Sequence, residues 1–131
     1  MTPTSARYPY RGADPPAPYV LLNLAHSTGP EILRDIPALA DTGADSTVLP
    51  SKLLASLRVP EFGAMTVRSY DDRQDSLKTY IVRLQIRDLP VIELEVIGSD
   101  FISTAIVGRD VLNRYDIRLD GPNRVMLVSD T

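Results

Sequence analysis

Apolar and polar residues alternate along much of this chain with the two-residue period of β-strands rather than the 3.6-residue period of helices. The clearest case runs from residue 77 to 87, where Tyr80, Val82, Leu84 and Ile86 alternate with Ile81, Arg83, Gln85 and Arg87. Residues 66–70 lead up to it through the polar stretch 71–76, so the pattern predicts a hairpin over residues 64–88. Ile92, Leu94 and Val96 set against Glu93 and Glu95 predict a strand with one wet face over 91–97. Residues 19–26 and 31–40 read as two more strands around the turn Ser27-Thr28-Gly29-Pro30, with Pro37 marking a bulge or an edge position. Residues 102–107 form a buried run. Residues 117–119 and 124–128 close the chain as a hairpin about Asp120-Gly121-Pro122-Asn123.

Helical signals are few. Ser51 is placed to cap a short helix in which Leu53, Leu54 and Leu57 share a face, ended by Pro60 and Gly63. Residues 110–115 read as one or two helical turns. Residues 1–18 hold Pro3, Pro9, Pro15, Pro16 and Pro18 and almost no aliphatic side chain. They are expected to be a flexible or extended segment, either a solvated tail or an arm that crosses to a partner subunit or is trimmed. The pattern therefore predicts a mostly β fold with residues 19–131 as one domain.

Composition narrows the chemistry. A chain of 131 residues has room for one modest core, and 44% hydrophobic with 24% charged residues is the balance of a soluble globular protein. The net charge of −3 and the lack of a Lys/Arg run argue against nucleic acid as a partner. Absence of cysteine excludes disulfides and thiol chemistry, and the single His26, read as a surface histidine at a strand end, excludes a histidine-cluster metal site. No cofactor and no metal are expected. No apolar stretch is long enough to span a bilayer and the first residues do not resemble a signal peptide, so no membrane partner and a cytoplasmic location are expected.

The candidate chemistry sits at Asp41-Thr42-Gly43-Ala44-Asp45, entered from the apolar Pro37-Ala38-Leu39-Ala40 and left through Ser46-Thr47-Val48-Leu49-Pro50. An Asp at the mouth of a tight turn, with a Gly behind it, presents its carboxylate rather than burying it. An Asx turn between two strands would explain Asp41 taken alone. Phosphate-handling proteins also place Thr-Gly near a reactive Asp, but no Gly-rich phosphate loop or acidic metal cluster accompanies it here. Far along the chain, residues 105–112 read as an apolar strand ending in Gly108-Arg109-Asp110 before a short helix.

These two landmarks, in this order, resemble those of the retropepsin-like aspartic proteases, and the strand pattern extends the resemblance over residues 18 to 129. The resemblance implies a single-domain retropepsin-like acid protease fold with closed, barrel-like sheets, a flap hairpin and one or two short helices. It implies an aspartic endopeptidase with Asp41 as the catalytic residue and Thr42, Gly43 and Ala44 as the active-site loop, Thr42 making hydrogen bonds across a two-fold axis. Asp45 and Arg109 are expected to pair, as a partly buried brace of that loop or as contacts to substrate. Tyr70, Asp71, Asp72, Arg73 and Gln74 are expected to form the flap that closes over a peptide or protein substrate. Ala44 stands where other members carry Ser, which implies activity at mildly acidic to near-neutral pH.

Carboxylate-driven peptide hydrolysis needs one group to take a proton from water and another to give one to the peptide, and two carboxyls sharing a proton do both; the aspartic-protease dyad is the standard illustration. The chain has one Asp-Thr-Gly and no second: Asp75-Ser76 continues with Leu77 and Asp120-Gly121 with Pro122. The partner is expected to be a second copy, a homodimer placing Asp41 beside its symmetry mate. The alternative is a non-catalytic module of the same fold that dimerises or binds peptides by strand addition.

Overall fold

The computed structural model describes residues 5–12, 14–68 and 71–130. In chain order the elements are β1 (Ser5–Pro9), β2 (Tyr19–His26), β3 (Ile32–Ala40), β4 (Val48–Pro50), α1 (Ser51–Ser56), β5 (Gly63–Arg68), β6 (Gln74–Ile86), β7 (Ile92–Ser99), β8 (Ala105–Val107), α2 (Arg109–Leu112), β9 (Asp116–Asp120) and β10 (Val125–Ser129). Seven strands form one sheet in the order β2-β3-β8-β4-β7-β6-β5, and β2 also pairs with β6. That pairing closes six strands into a barrel and leaves β5 hanging from the outer part of β6. Closure pairs the six barrel strands on both sides and leaves β5 as the open edge of the sheet.

The alternation read from sequence is what fills the barrel. Val20, Leu22 and Leu24 of β2, Val82, Leu84 and Ile86 of β6, and Val96 of β7 are fully buried, with Leu49, Leu89 and Val107 beside them. Their period of two sends every second side chain inward, and each such aliphatic side chain contributes roughly 1.5–3 kcal/mol by leaving water. Pro37 takes the edge position its missing N–H demands: it faces Leu21 of β2, while β8 joins β3 only from Ala38 to Ala40. The β2–β3 register slips between Leu22 and Leu24, opposite Asp35, whose φ of 55° lies in the left-handed region.

Several boundaries depart from the sequence pattern. Ser51 does not cap α1: Pro50 holds the N-cap position and Ser51 is the first helical residue, because a proline ring fixes φ but offers no side-chain acceptor. The helix ends at Ser56, ahead of Pro60, and Arg58 turns the chain with φ of 58°. β6 starts at Gln74 rather than Leu77, so three polar residues belong to the strand and the hairpin tip is shorter. The buried run ahead of Gly108 is confined to Ala105–Val107, Phe101 before it being 95% exposed.

The largest correction concerns the Pro-rich start. Ser5–Pro9 is not a solvated tail; it is strand β1, paired antiparallel with β10 of the same chain from Ser5↔Ser129 to Pro9↔Val125. Ala6 and Tyr8 are buried against Met126 and Val128, completing a three-stranded sheet in the order β1-β10-β9. Tyr8 also carries the Arg87 guanidinium 4.6 Å from its ring centroid. Burial pushes the Tyr8 hydroxyl up from the usual tyrosine value, partly offset by Arg87.

Candidate active site

β3 delivers Asp41 to the end of the barrel. Its last residues pair in parallel with β8, Ala38↔Ala105 to Ala40↔Val107, and the Asp41 N–H continues that ladder by donating to the Val107 carbonyl at 2.9 Å. The turn then closes on its own carboxylate. Gly43 N–H donates to Asp41 Oδ1 at 2.9 Å and Ala44 N–H to the Asp41 carbonyl at 3.2 Å, an Asx turn that fixes the carboxyl while leaving Oδ2 free of that bond. Gly43 leaves room behind it: a Cβ there would sit 3.1 Å from Asp41 Oδ1, a tight contact. Asp41 and Ala44 are half-buried, and Thr42, Gly43 and Asp45 are exposed.

The Gly108-Arg109-Asp110 segment grips this loop from beneath. Gly108 is buried so close to it that a Cβ would lie 2.8 Å from the Ser46 carbonyl and 2.9 Å from the Ala44 oxygen. Arg109 N–H donates to the Ala44 carbonyl at 2.9 Å and Asp110 N–H to the Asp45 carbonyl at 3.3 Å. The Arg109 guanidinium donates through Nη1 to the Thr42 carbonyl at 2.7 Å and through Nη2 to Asp45 Oδ1. The anticipated pair is therefore formed, but not as a buried brace: the Arg109 side chain is 41% exposed and that of Asp45 86%. A pair this exposed contributes about 0–1 kcal/mol.

The buried brace is a different one. Thr47 is fully buried and sends its N–H to Asp110 Oδ2 at 2.9 Å and its hydroxyl to Asp110 Oδ1 at 2.8 Å, while Gly108 N–H donates to the Thr47 hydroxyl at 3.2 Å. One carboxylate thus ties the first turn of α2 to the strand leaving the Asp41 loop. Sequence reasoning assigned Asp110 no role; the available signal was its place beside Arg109 in the second landmark.

The β5–β6 hairpin stands next to the loop. Gly63, Met65 and Val67 of β5 are half-buried on one face, and the Ser46 hydroxyl contacts Met65 Sδ at 3.8 Å. Of the residues expected at the flap, Asp71, Asp72, Arg73 and Gln74 are exposed at the hairpin tip, with Arg73 N–H donating to Asp71 Oδ1 at 3.3 Å; Tyr70 lies outside the described residues.

Two cavities lie on the barrel, and neither takes a residue from the Asp41 loop. One of about 320 Å³ is lined by Tyr19, Leu39, Phe101, Ile102 and Ile106, next to the β3–β8 pairing that ends at Asp41. A larger one of about 470 Å³ lies between α1, the lower part of β6 and the turn after β7. Among the described residues no group of three or more acidic, His or Cys side chains is arranged to hold a metal, and no helix is long and apolar enough to cross a membrane.

Asp41 is thus half-buried at the end of β3, with one carboxyl oxygen held by its own turn and the other left out of that bond. A retropepsin-like aspartic protease from Rickettsia conorii superposes with a TM-score of 0.64 over 98% of this chain and 94% of its own, at 13% identity. The EIAV protease in complex with the inhibitor HBY-793 gives 0.58 over 74% of this chain and 86% of its own, at 19% identity. The foamy viral protease-reverse transcriptase gives 0.52 over 74% of this chain at 17% identity, the match spanning 12% of that longer chain. Neither a protein-family model nor a curated protein matches the sequence. The chain has the retropepsin-like aspartic protease fold.

Proposed function

We propose that the protein is an aspartic endopeptidase that works as a homodimer, Asp41 of each subunit supplying one carboxyl of the catalytic dyad. The observation that carries this reading is the Asp41 turn, which holds the carboxyl through Gly43 N–H at 2.9 Å and leaves its other oxygen for a partner. Two such carboxyls on a two-fold axis share one proton. The ionised one takes a proton from water, and the oxygen so freed attacks the peptide carbonyl carbon. The protonated one hydrogen-bonds the carbonyl oxygen as charge develops there. The tetrahedral species then collapses, the C–N bond breaks, and a carboxyl proton passes to the leaving amine. The β5–β6 hairpin tip, Asp71 to Gln74, serves as flap, and the apolar cavity beside Leu39 and Ile106 accepts a substrate side chain. Thr42, exposed beside Asp41, supports the loop across the two-fold axis.

The test is cleavage of a diverse peptide mixture, read by mass spectrometry, with wild type and Asp41→Asn. The variant should remain folded and lose about 10³-fold or more in rate, since both proton transfers run through this residue. Undiminished cleavage by the variant would overturn the mechanism, and peptide binding without cleavage by wild type would favour a non-catalytic module.

A further inference from the structure

His26, the only histidine, ends β2 and holds the turn that follows it. Its Nδ1 accepts the Thr28 N–H at 3.0 Å and the Gly29 N–H at 3.0 Å, with the Thr28 hydroxyl 3.2 Å away. Two backbone donors aimed at one ring nitrogen require that nitrogen to carry a lone pair, so the ring proton resides on Nε2. The turn is also tight: a Cβ on Gly29 would lie 2.9 Å from Glu31 Oε2 and 3.0 Å from His26 Cγ. The other side of the turn faces the root of the β5–β6 hairpin. His26, Ser27 and Thr28 line a cavity of about 300 Å³ together with Val59, Pro60, Glu61, Phe62 and Ile81. Phe62 N–H in turn donates to the Thr79 carbonyl at 2.8 Å, where the hairpin begins.

From this geometry we propose that the 26–30 turn is an acid-released clasp seated against the root of the hairpin. Protonation at Nδ1 removes the only acceptor both amides use and sets an N–H against two others, so the charged ring and the closed turn exclude each other. Acidification therefore draws the turn open. The charged groups around the ring modulate this without replacing the acceptor. Glu31 on the same turn favours the imidazolium and is itself 4.0 Å from Arg58. Glu61 across the cavity is engaged by Lys78 at 3.6 Å. From β6 the facing residues are Val82, paired with His26, and Ile81, both apolar. This inference stands on the turn alone and does not depend on the protease reading.

Amide exchange followed by NMR between about pH 7.5 and about pH 5 tests it, with rates corrected for intrinsic pH dependence. Protection of the Thr28 and Gly29 amides should fall about tenfold in wild type. His26→Asn places an uncharged acceptor at the same point of the side chain, so the variant should keep both amides protected across the range. Protection that does not change with pH in wild type would overturn the proposal. So would an equal loss in wild type and His26→Asn, since the drop would then have another origin.

Discussion

Thr47 has no water to turn to: it is fully buried, and the Asp110 carboxylate accepts from both its N–H and its hydroxyl. Asp110→Ala strands those two donors and should cost about 2–4 kcal/mol in chemical denaturation. Arg109→Ala removes an exposed pair and one bond to the Thr42 carbonyl, and should cost no more than about 1 kcal/mol by the same measurement. A larger loss for Arg109 than for Asp110 would reverse this ranking. The contrast marks what is legible at this scale. Asp41 and its turn can be read from one short motif that dictates its own local geometry, whereas the contact of Asp45 with Arg109, 64 residues apart, is expected only through the family resemblance. That Asp110 grips Thr47 cannot be read, because neither motif marks the pair and only the fold brings the residue before β4 against the first turn of α2. The degree to which Asp45 is buried is equally invisible, since exposure is a property of the assembled surface.

Among the elements, strands whose alternation is undisturbed are legible nearly residue by residue, as β2, β6 and β7 are. β1 is not, because its composition obscures a valid pattern: Ala6 and Tyr8 are the inward positions of a strand that prolines make look like a tail. Removal of residues 1–10 should therefore destabilise the protein by about 3–5 kcal/mol in denaturant, since it uncovers Met126 and Val128 as well as deleting a buried tyrosine. Unchanged stability would mean that β1 contributes nothing to the core. The β9–β10 turn makes a different prediction. Hydrogen bonds from the Asn123 side chain (2.9 Å) and backbone N–H (3.1 Å) hold the Asp120 carboxyl below its usual value of 3.8. A carboxyl lowered in the folded state stabilises it fully above the unfolded value and loses that contribution as pH falls through the folded one. The Asn123 amide should thus keep its hydrogen-bonded chemical shift at pH 5 and lose it only below about pH 4. Loss of that shift at higher pH would mean that Asp120 does not hold the turn.

For the whole molecule, the proposed dyad, with one carboxyl from each chain, would make activity a property of the assembly. Specific activity should fall on dilution in step with the dimer population seen by sedimentation, and an excess of Asp41→Asn chains should suppress wild-type activity by forming dimers with one working carboxyl. Activity that stays proportional to concentration while dimers dissociate would show a single chain completing its own site. The closed barrel was foreseeable as a class from the family resemblance; that β2 and β6 are the strands that close it was not, because pairing between strands distant in sequence leaves no periodic trace. The terminal sheet carries a further consequence. β1 pairs with β10, so during translation Ala6 and Tyr8 wait uncovered while the eight strands between the two emerge. A waiting apolar strand invites pairing with whatever edge appears first. Pro9, Pro15, Pro16 and Pro18, which cannot donate to a ladder, close off that route on one side. The prolines that make this segment look unstructured thus shorten the ladder it can offer a wrong partner.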